Sequence, residues 1–503
     1  GQENLVPRNN SSAPETPIIP KAQEKPWYIQ HFTKLLIGFG LGGGAIAILL
    51  PWMLWLHCGM SSGSSDQLRL HLLYVTGGII AVLTLLQTNW KNQGDRLKID
   101  ADIKKNEQDA EKNERDHIRQ VHAERRSRYT KAVEQLADEK ATVRLGGIYT
   151  LVGLVDEWLA DDSFKEESDR HKEGQVIVNS LCSYIRSPFP LALKAEMIEG
   201  DSEPDNYEGD FSKDQAAFRE EQDVRRTIFV EMSKRSSTLT RDEIGAVIDT
   251  FPGMWSDFEF DFSRAPIFYT LSNLTIEKAN FSSAKFYSNA DFIWATFTQN
   301  ADFTWAAFIQ NADFSGATFT QNANFTGAKF TQTADFTGAK FTQNADFYVA
   351  AFTQTARFSG TIFTQNADFS KATFTQTANF GRAKFFQTAD FSRAKFFQTA
   401  DFRGGTFVQN ANFSGTTFEK HSPHFVATTH GKSGKAYRAR FAALSKKQPA
   451  HNFAVHEDSR PILLGETELG NIKYNLPMGT VLFDPCSWDE EKKEYTRVSE
   501  PAK

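Results

Sequence analysis

Between residues 281 and 418 the chain places a phenylalanine at alternating steps of five and six: Phe281, Phe286, Phe292, Phe297, Phe303, Phe308 and onward. The series takes 26 of the 44 phenylalanines in the sequence. Two residues before each stands Ala, except at Thr361, Gly405 and Thr416; Asp or Asn precedes every second Phe, except at Arg357. This period fits neither a helix at 3.6 nor a strand at 2. Each unit is therefore expected to be a short extended piece and a turn, stacked in coils with Phe and Ala inside and Asp, Asn, Thr, Gln and Gly at the turns. The residue after the repeated Gln alternates Asn322, Thr333, Asn344, Thr355, Asn366, Thr377, so identity returns every 22 residues. That predicts four units per coil, Asn stacked on Asn along one corner and Thr on Thr along the opposite one. At ~4.8 Å between stacked strands, the regular part makes about six coils and a rod of roughly 30 Å.

Upstream the polarity pattern is different. Residues 1–34 are rich in Pro and polar groups and read as a disordered tail. Residues 35–58 contain no Asp, Glu, Lys or Arg, and residues 72–90 form a second apolar run; each is long enough to cross a bilayer. A signal peptide is the rival reading of the first run, but the long tail before it and the second run close behind favour a transmembrane hairpin over 35–90. Lys21, Lys25 and Lys34 precede the first run, and Lys91, Arg96, Lys98, Lys104 and Lys105 follow the second, against Arg69 alone between them. This asymmetry predicts that both ends, and the rod with them, are cytoplasmic. Gly38, Gly40, Gly42, Gly43 and Gly44 give overlapping Gly-xxx-Gly pairs, a smooth face for close helix packing. It is expected to meet Gly77 and Gly78 of the second run or the same face of another copy. Neither run carries a charged residue to serve an ion pathway, and His57 stands at the end of the first.

Residues 91–138 alternate charges of both signs. The pairs Asp100–Lys104, Glu111–Arg115 and Glu124–Arg128 support a linker helix. Its apolar residues, Leu97, Ile103, Ile118 and Val121, are too sparse for a convincing coiled-coil seam, so a solvated stalk is preferred to a weak oligomer coil. Residues 139–250 read as an α-helical domain. Leu145, Ile148, Leu151, Val152, Val155 and Trp158 line one face, followed by Ile177, Leu181 and Ile185, then Val224 and Ile228. An acidic loop with Glu199, Asp201, Glu203, Asp205, Glu208 and Asp210 separates the last two groups. These helices are expected to cap the open end of an array over 251–420, with an irregular first coil from Trp255 to Ile276. The 421–503 tail, through Gly479-Thr480-Val481-Leu482-Phe483, is expected to close the other end.

The units Ala290-Asp291-Phe292 and Ala323-Asn324-Phe325, written Ala-(Asp/Asn)-Phe-x-x, resemble the pentapeptide-repeat family. The resemblance implies a right-handed quadrilateral β-helix with the central Phe and the preceding Ala pointing inward. Alternate units here carry a sixth residue, as in Phe297-Thr298-Gln299-Asn300-Ala301-Asp302-Phe303, so two of the four corners should be looser. The stretches Arg128-Tyr129-Thr130-Lys131-Ala132-Val133-Glu134-Gln135-Leu136 and Val143-Arg144-Leu145-Gly146-Gly147-Ile148-Tyr149 are similar to a segment that precedes the array in many bacterial membrane-anchored members. The expected architecture is thus multidomain: a pentapeptide-repeat solenoid preceded by a transmembrane hairpin and an α-helical region, in a bacterial inner membrane.

Composition adds little chemistry. A net charge of −6 points to no particular partner. Cys58, Cys182 and Cys486 have no metal or redox spacing, which suits a reducing compartment. Phosphate loops, Gly-x-Ser-x-Gly and His-Glu-x-x-His are absent, so no catalytic residue, cofactor or metal is expected. His451, His456, Glu457 and Asp458 are the densest cluster of possible ligands, but their polar flanks read as a solvated tail. Some pentapeptide-repeat proteins imitate DNA with an acidic rod and bind type II topoisomerases. From Ala279 to Phe418 this rod carries eight acids and ten bases, a balance of +2, which disfavours mimicry and supports nucleic-acid binding only weakly. The bases gather late in the array: Arg382, Lys384, Arg393, Lys395 and Arg403 interleave with Phe386, Phe397 and Val408, which stand where Thr is usual. They form a candidate protein-binding patch, unless the tail covers it. The expected function is a non-enzymatic membrane scaffold or interaction module. The rival is an oligomeric effector or channel-like assembly joined through Gly38, Gly40, Gly42 and Gly44.

Overall fold

The computed structural model describes residues 24–241, 247–427, 437–445, 450–492 and 494–503. Most of the expected tail, Lys21 included, lies outside them. The chain divides into two compact units, one up to Gln120 and one from Val121 onward.

In the first unit, helix begins before the apolar run. α1 (Trp27–Gln30) and α2 (Phe32–Ile37) lead through a π-helical turn (Gly38–Gly42) into α3 (Gly43–Cys58). Gly59, at φ 68°, ends α3 in the left-handed conformation that favours glycine. α4 (Ser62–Leu136) then runs for 75 residues. The stretches Phe32–Cys58 and Ser62–Leu136 both contain windows long and apolar enough to cross a membrane. α4 has no break between the second apolar run and the charged segment, and runs on through Gly94 at the junction. Of the three expected pairs, Arg115–Glu111 and Arg128–Glu124 each close to 3.9 Å, while Asp100 and Lys104 form no ion pair.

The hairpin packs through one face of α3. Gly43, Ala47 and Pro51, spaced by four, are buried there, and the Ser65 hydroxyl donates to the Pro51 carbonyl at 3.3 Å. A Cβ on Gly43 would collide with the Thr76 side chain, whereas Gly38, Gly40, Gly42 and Gly44 have nothing within 4 Å, nor have Gly77 and Gly78. The expected glycine-to-glycine contact is therefore replaced by one between Gly43 and Thr76. Gly43 stands four residues before Ala47 within α3, while the π-helical turn over 38–42 breaks the register of Gly40, which is exposed.

In the second unit, the end of α4 packs with α5 (Ala141–Leu159), α6 (Glu167–Arg186), α7 (Ala195–Ile198) and α8 (Phe211–Lys234). Ile148, Leu151, Val152, Val155, Trp158, Ile177, Leu181, Ile185, Val224 and Ile228 are buried, as their helical periodicity requires. Asp210 caps α8 by accepting from the Lys213 N–H. Arg125 and His122 of α4 both bond the Asp161 carboxylate, and Arg128 bonds Glu157. Burial alone would push the Asp161 carboxyl up, but hydrogen bonds from Ser163, Arg125 and His122 hold it well below the ordinary range. Arg225 is buried between α6 and α8. Its guanidinium donates to Glu221 at 2.7 Å and to the Ile185 and Ser187 carbonyls, and Tyr184 and Arg144 complete the Glu221 carboxylate. A buried charge so fully bonded fixes the packing of these helices.

The helical domain seats directly on the array. Phe229 of α8 meets Phe262 at 4.5 Å, Phe218 meets Phe268 at 5.1 Å, and His171 of α6 stacks on Phe258. Beyond them, two-residue strands wind into four parallel sheets. Pairing runs Ala301 to Ala323 to Ala345 in one sheet and Phe308 to Phe330 to Phe352 in another, an advance of 22 residues per coil. One sheet holds eight strands from Phe260 to Asn412, which makes about seven coils rather than six, because the irregular first coil joins the ladder. Inside, rings 22 apart stack nearly parallel, as in Phe303 on Phe325 at 4.8 Å and Phe325 on Phe347 at 4.9 Å. Neighbouring stacks meet edge to face, Phe325 against Phe336 at 5.5 Å. Where Thr replaces the inward Ala, its hydroxyl finds a carbonyl: Thr361 bonds Phe336 and Thr416 bonds Phe391.

The far end is closed by the tail. The strand Arg440–Ala442 pairs beside Thr406–Phe407, and Val481–Phe483 pairs beside Arg440–Ala442, so the run read as β supplies the last strand of the nine-stranded sheet.

Candidate interaction surfaces of the array

The corners decide which side chains face solvent. At two corners of each coil the Asp or Asn before Phe accepts the N–H two residues on: Tyr348 to Asp346 at 2.8 Å, Thr326 to Asn324 at 2.9 Å, Ser414 to Asn412 at 3.1 Å. The next residue is left-handed: a glycine at Gly316, Gly338 or Gly360, a larger side chain at Val349, Lys371, Arg382 or Arg393. At the looser corners a different ladder forms. Asn300, Asn322 and Asn344 accept from the N–H of Asn322, Asn344 and Asn366, each one coil on. The stacking read from the 22-residue alternation is thus a chain of hydrogen bonds.

The same 22-residue coil divides the expected patch. Lys384 lies in the nine-stranded sheet between Ile362 and Thr406, and Lys395 lies in another sheet between Thr373 and Thr417. Positions 11 apart are half a coil apart. Arg382, Lys384, Phe386 and Arg403 therefore belong to one side of the array, and Arg393, Lys395 and Phe397 to another. All seven are exposed, Phe386 at 38% and Phe397 at 39%. Among the described residues the tail touches the first group, where the Arg382 guanidinium lies 4.7 Å over the Tyr437 ring. Arg403 is held by Asp401 at 2.6 Å. The basic and aromatic residues expected as one patch thus lie on two sides of the array.

The His and acid cluster also divides. His456, Glu457 and Asp458 are exposed and their ligand atoms lie within 4.8 Å of one another. His451 sits apart: the Ala411 N–H donates to Nδ1 at 3.2 Å, and Nε2 donates to the Ala442 carbonyl at 2.9 Å. Burial pushes the imidazole down to about 4, so the ring is neutral. It ties the last regular coil to the tail strand.

Two surface residues escaped the sequence reading. Trp294 and Trp305 are left-handed, at φ 55° and 57°, where the next coil carries glycine. Trp294 is 68% exposed, and their rings lie over Gly316 and Gly327 of the next coil. Aligning the sequence in columns of 22 would have shown them.

Sheet register, inward Phe and Asp-capped corners agree with a family match. The family of pentapeptide repeats (9 copies) matches residues 306–351, 325–373 and 336–384. The array is a pentapeptide-repeat β-solenoid. No curated protein and no solved structure matches the chain.

Proposed function

We propose that the chain is a non-enzymatic, membrane-anchored scaffold of the bacterial inner membrane, with the solenoid on the cytoplasmic side as a protein-interaction module. The observation that carries this reading is the array's division of labour. Its interior is filled by stacked phenylalanines, so any recognition must lie on the outward residues, which vary freely on a fixed 22-residue lattice. The helices at 32–58 and in the first part of α4 support anchoring by length and apolarity, and the Lys/Arg asymmetry around them supports the orientation. The solenoid is right-handed and four-sided in this reading, from the family resemblance and the general right-handedness of parallel crossovers.

Lys384 and Phe386 on one side, and Arg393, Lys395 and Phe397 on the other, are the proposed contacts. The test is capture from solubilised membranes by chains carrying Lys384→Ser with Phe386→Ser, or Lys395→Ser with Phe397→Ser. One pair should lose a partner that the wild-type protein retains, with an unchanged melting temperature. Full recovery by both variants would remove these residues from the binding surface.

The second reading, self-association through the first span, is favoured by the open space beside Gly38, Gly40, Gly42 and Gly44. DNA mimicry is disfavoured by the array's charge of +2.

A further inference from the structure

The charged half of α4 repeats every seven residues. Asp95, Asp102, Asp109 and Asp116 share one heptad position, Asp100, Glu107 and Glu114 a second, and Lys98, Lys105, Lys112 and Arg119 a third. Between the two acidic rows runs a seam spaced by fours and threes: Ile99, Ile103, Asn106, Ala110, Asn113, His117 and Gln120. None of these seven is Asp, Glu, Lys or Arg, although 16 of the 31 residues from 91 to 121 are. In paired helices such a seam faces the partner, and the rows beside it choose the partner by charge. Every seam residue is exposed, Ile103 at 50%.

A lone helix stabilised by its own ion pairs would also show a seven-residue period, since steps of three and four sum to seven. Of the seven acids in these two rows, Asp116 alone among the described residues pairs that way, with Arg119 at 3.5 Å. Among the described residues, Asp100, Asp102, Glu107, Asp109 and Glu114 make no ion pair; from 91 to 120 the pairs are Arg115–Glu111 at 3.9 Å and Arg119–Asp116 at 3.5 Å. Glu114 has no Lys or Arg three or four residues away, and Glu111 stands beside both Glu107 and Glu114. Among the described residues, six of the seven row acids are therefore left for something outside the helix.

A second copy does not fit. In a parallel pair, Asp102 would meet Glu107 and Asp109 would meet Glu114 of the other chain; in an antiparallel pair each acidic row would face itself. Both place acid on acid. We propose that the 99–120 face of α4 is a docking seam for a partner helix that carries Lys or Arg in both rows beside an uncharged seam. The acidic rows exclude self-pairing, and Asn106 and Asn113 set the register. The site lies outside the repeat array and stands or falls independently of the array's role.

The test uses the full chain in non-ionic detergent and two fluorescent synthetic helices. One copies residues 95–120; the other carries Asp100→Lys, Asp102→Lys, Glu107→Lys, Asp109→Lys and Glu114→Lys. The Lys-flanked helix should bind, and more weakly as salt rises, while the unchanged copy should not. Two variants of the full chain separate seam docking from charge attraction. Ile103→Asp and Gln108→Asp each add one carboxylate at an exposed position, the first in the seam and the second on the opposite face. Ile103→Asp should weaken binding at least tenfold, and Gln108→Asp should leave it unchanged or slightly tighter. Failure of the Lys-flanked helix to bind, equal binding of both helices, or equal affinity of the two variants would each overturn the proposal.

Discussion

Inward phenylalanine and corner aspartate hold the same coil with different tolerances. Phe347 lies between Phe325 and Phe369 in a ring stack and meets Phe336 and Phe358 edge on. Phe347→Ala is expected to cost about 3–5 kcal/mol, because neighbours on a rigid lattice cannot collapse into the space. Asp346 only accepts the Tyr348 N–H, a task Asn324 performs equally well one coil earlier. Asp346→Asn should therefore leave thermal unfolding of the intact protein unchanged, and Asp346→Ala should cost about 1 kcal/mol. Asp368 differs from its fellows. Burial, and then the like charges of Asp346 and Asp390 in the same column, hold its carboxyl above the ordinary range. A raised carboxyl favours the folded state below its unfolded pKa, and that advantage is lost as pH rises through the folded value. Asp368→Asn should accordingly raise the melting temperature at pH 7, with a gain that shrinks in acid. The roles of Phe, Ala and Asp were legible because repetition averages out context. The left-handed tryptophans were not, since they depart from their own column and from nothing beside them in sequence.

At the scale of elements, closure of the two ends governs whether the array survives. The upstream helices depend on the close approach of α4 and α5. A Cβ on Gly147 would sit 2.8 Å from the Ala132 carbonyl, while one on Gly146 meets nothing within 4 Å. Gly147→Ala should destabilise the helical domain by about 1–3 kcal/mol, and Gly146→Ala should be neutral or stabilising; paired melting curves decide it. At the other end His451 must stay neutral to accept from Ala411. Its pKa falls from 6.5 unfolded to about 4 folded, so its contribution is complete above pH 6.5 and drains away as pH falls toward 4. Protection of the Ala411 amide, relative to its intrinsic exchange rate at each pH, should fall across that window and should already be low at pH 7 in His451→Ala. Helical faces such as Ile148 to Trp158 were readable from periodicity. Which glycine of 38–44 faces inward depends on the phase of α3, and which bases share a surface depends on the coil. The 22-residue period holds that second answer, since residues 11 apart lie half a coil apart.

The molecule as a whole combines two kinds of surface. The array offers a rigid lattice with variable outward residues, and α4 offers an uncharged seam between acidic rows. Neither is a pocket for chemistry, and both suit a chain that gathers other proteins at a membrane. That account depends on the membrane hairpin and on the side to which its ends are directed. The most direct measurement is cysteine accessibility in intact cells, in chains whose Cys58 and Cys486 are replaced by Ser. Ser62→Cys marks the connection between α3 and α4, and Thr353→Cys marks an exposed position of the array. An impermeant maleimide should label Ser62→Cys in intact cells, and Thr353→Cys only after the membrane is opened. Labelling of Thr353→Cys from outside, or recovery of the chain in the soluble fraction, would contradict a scaffold anchored in the membrane and facing the cytoplasm.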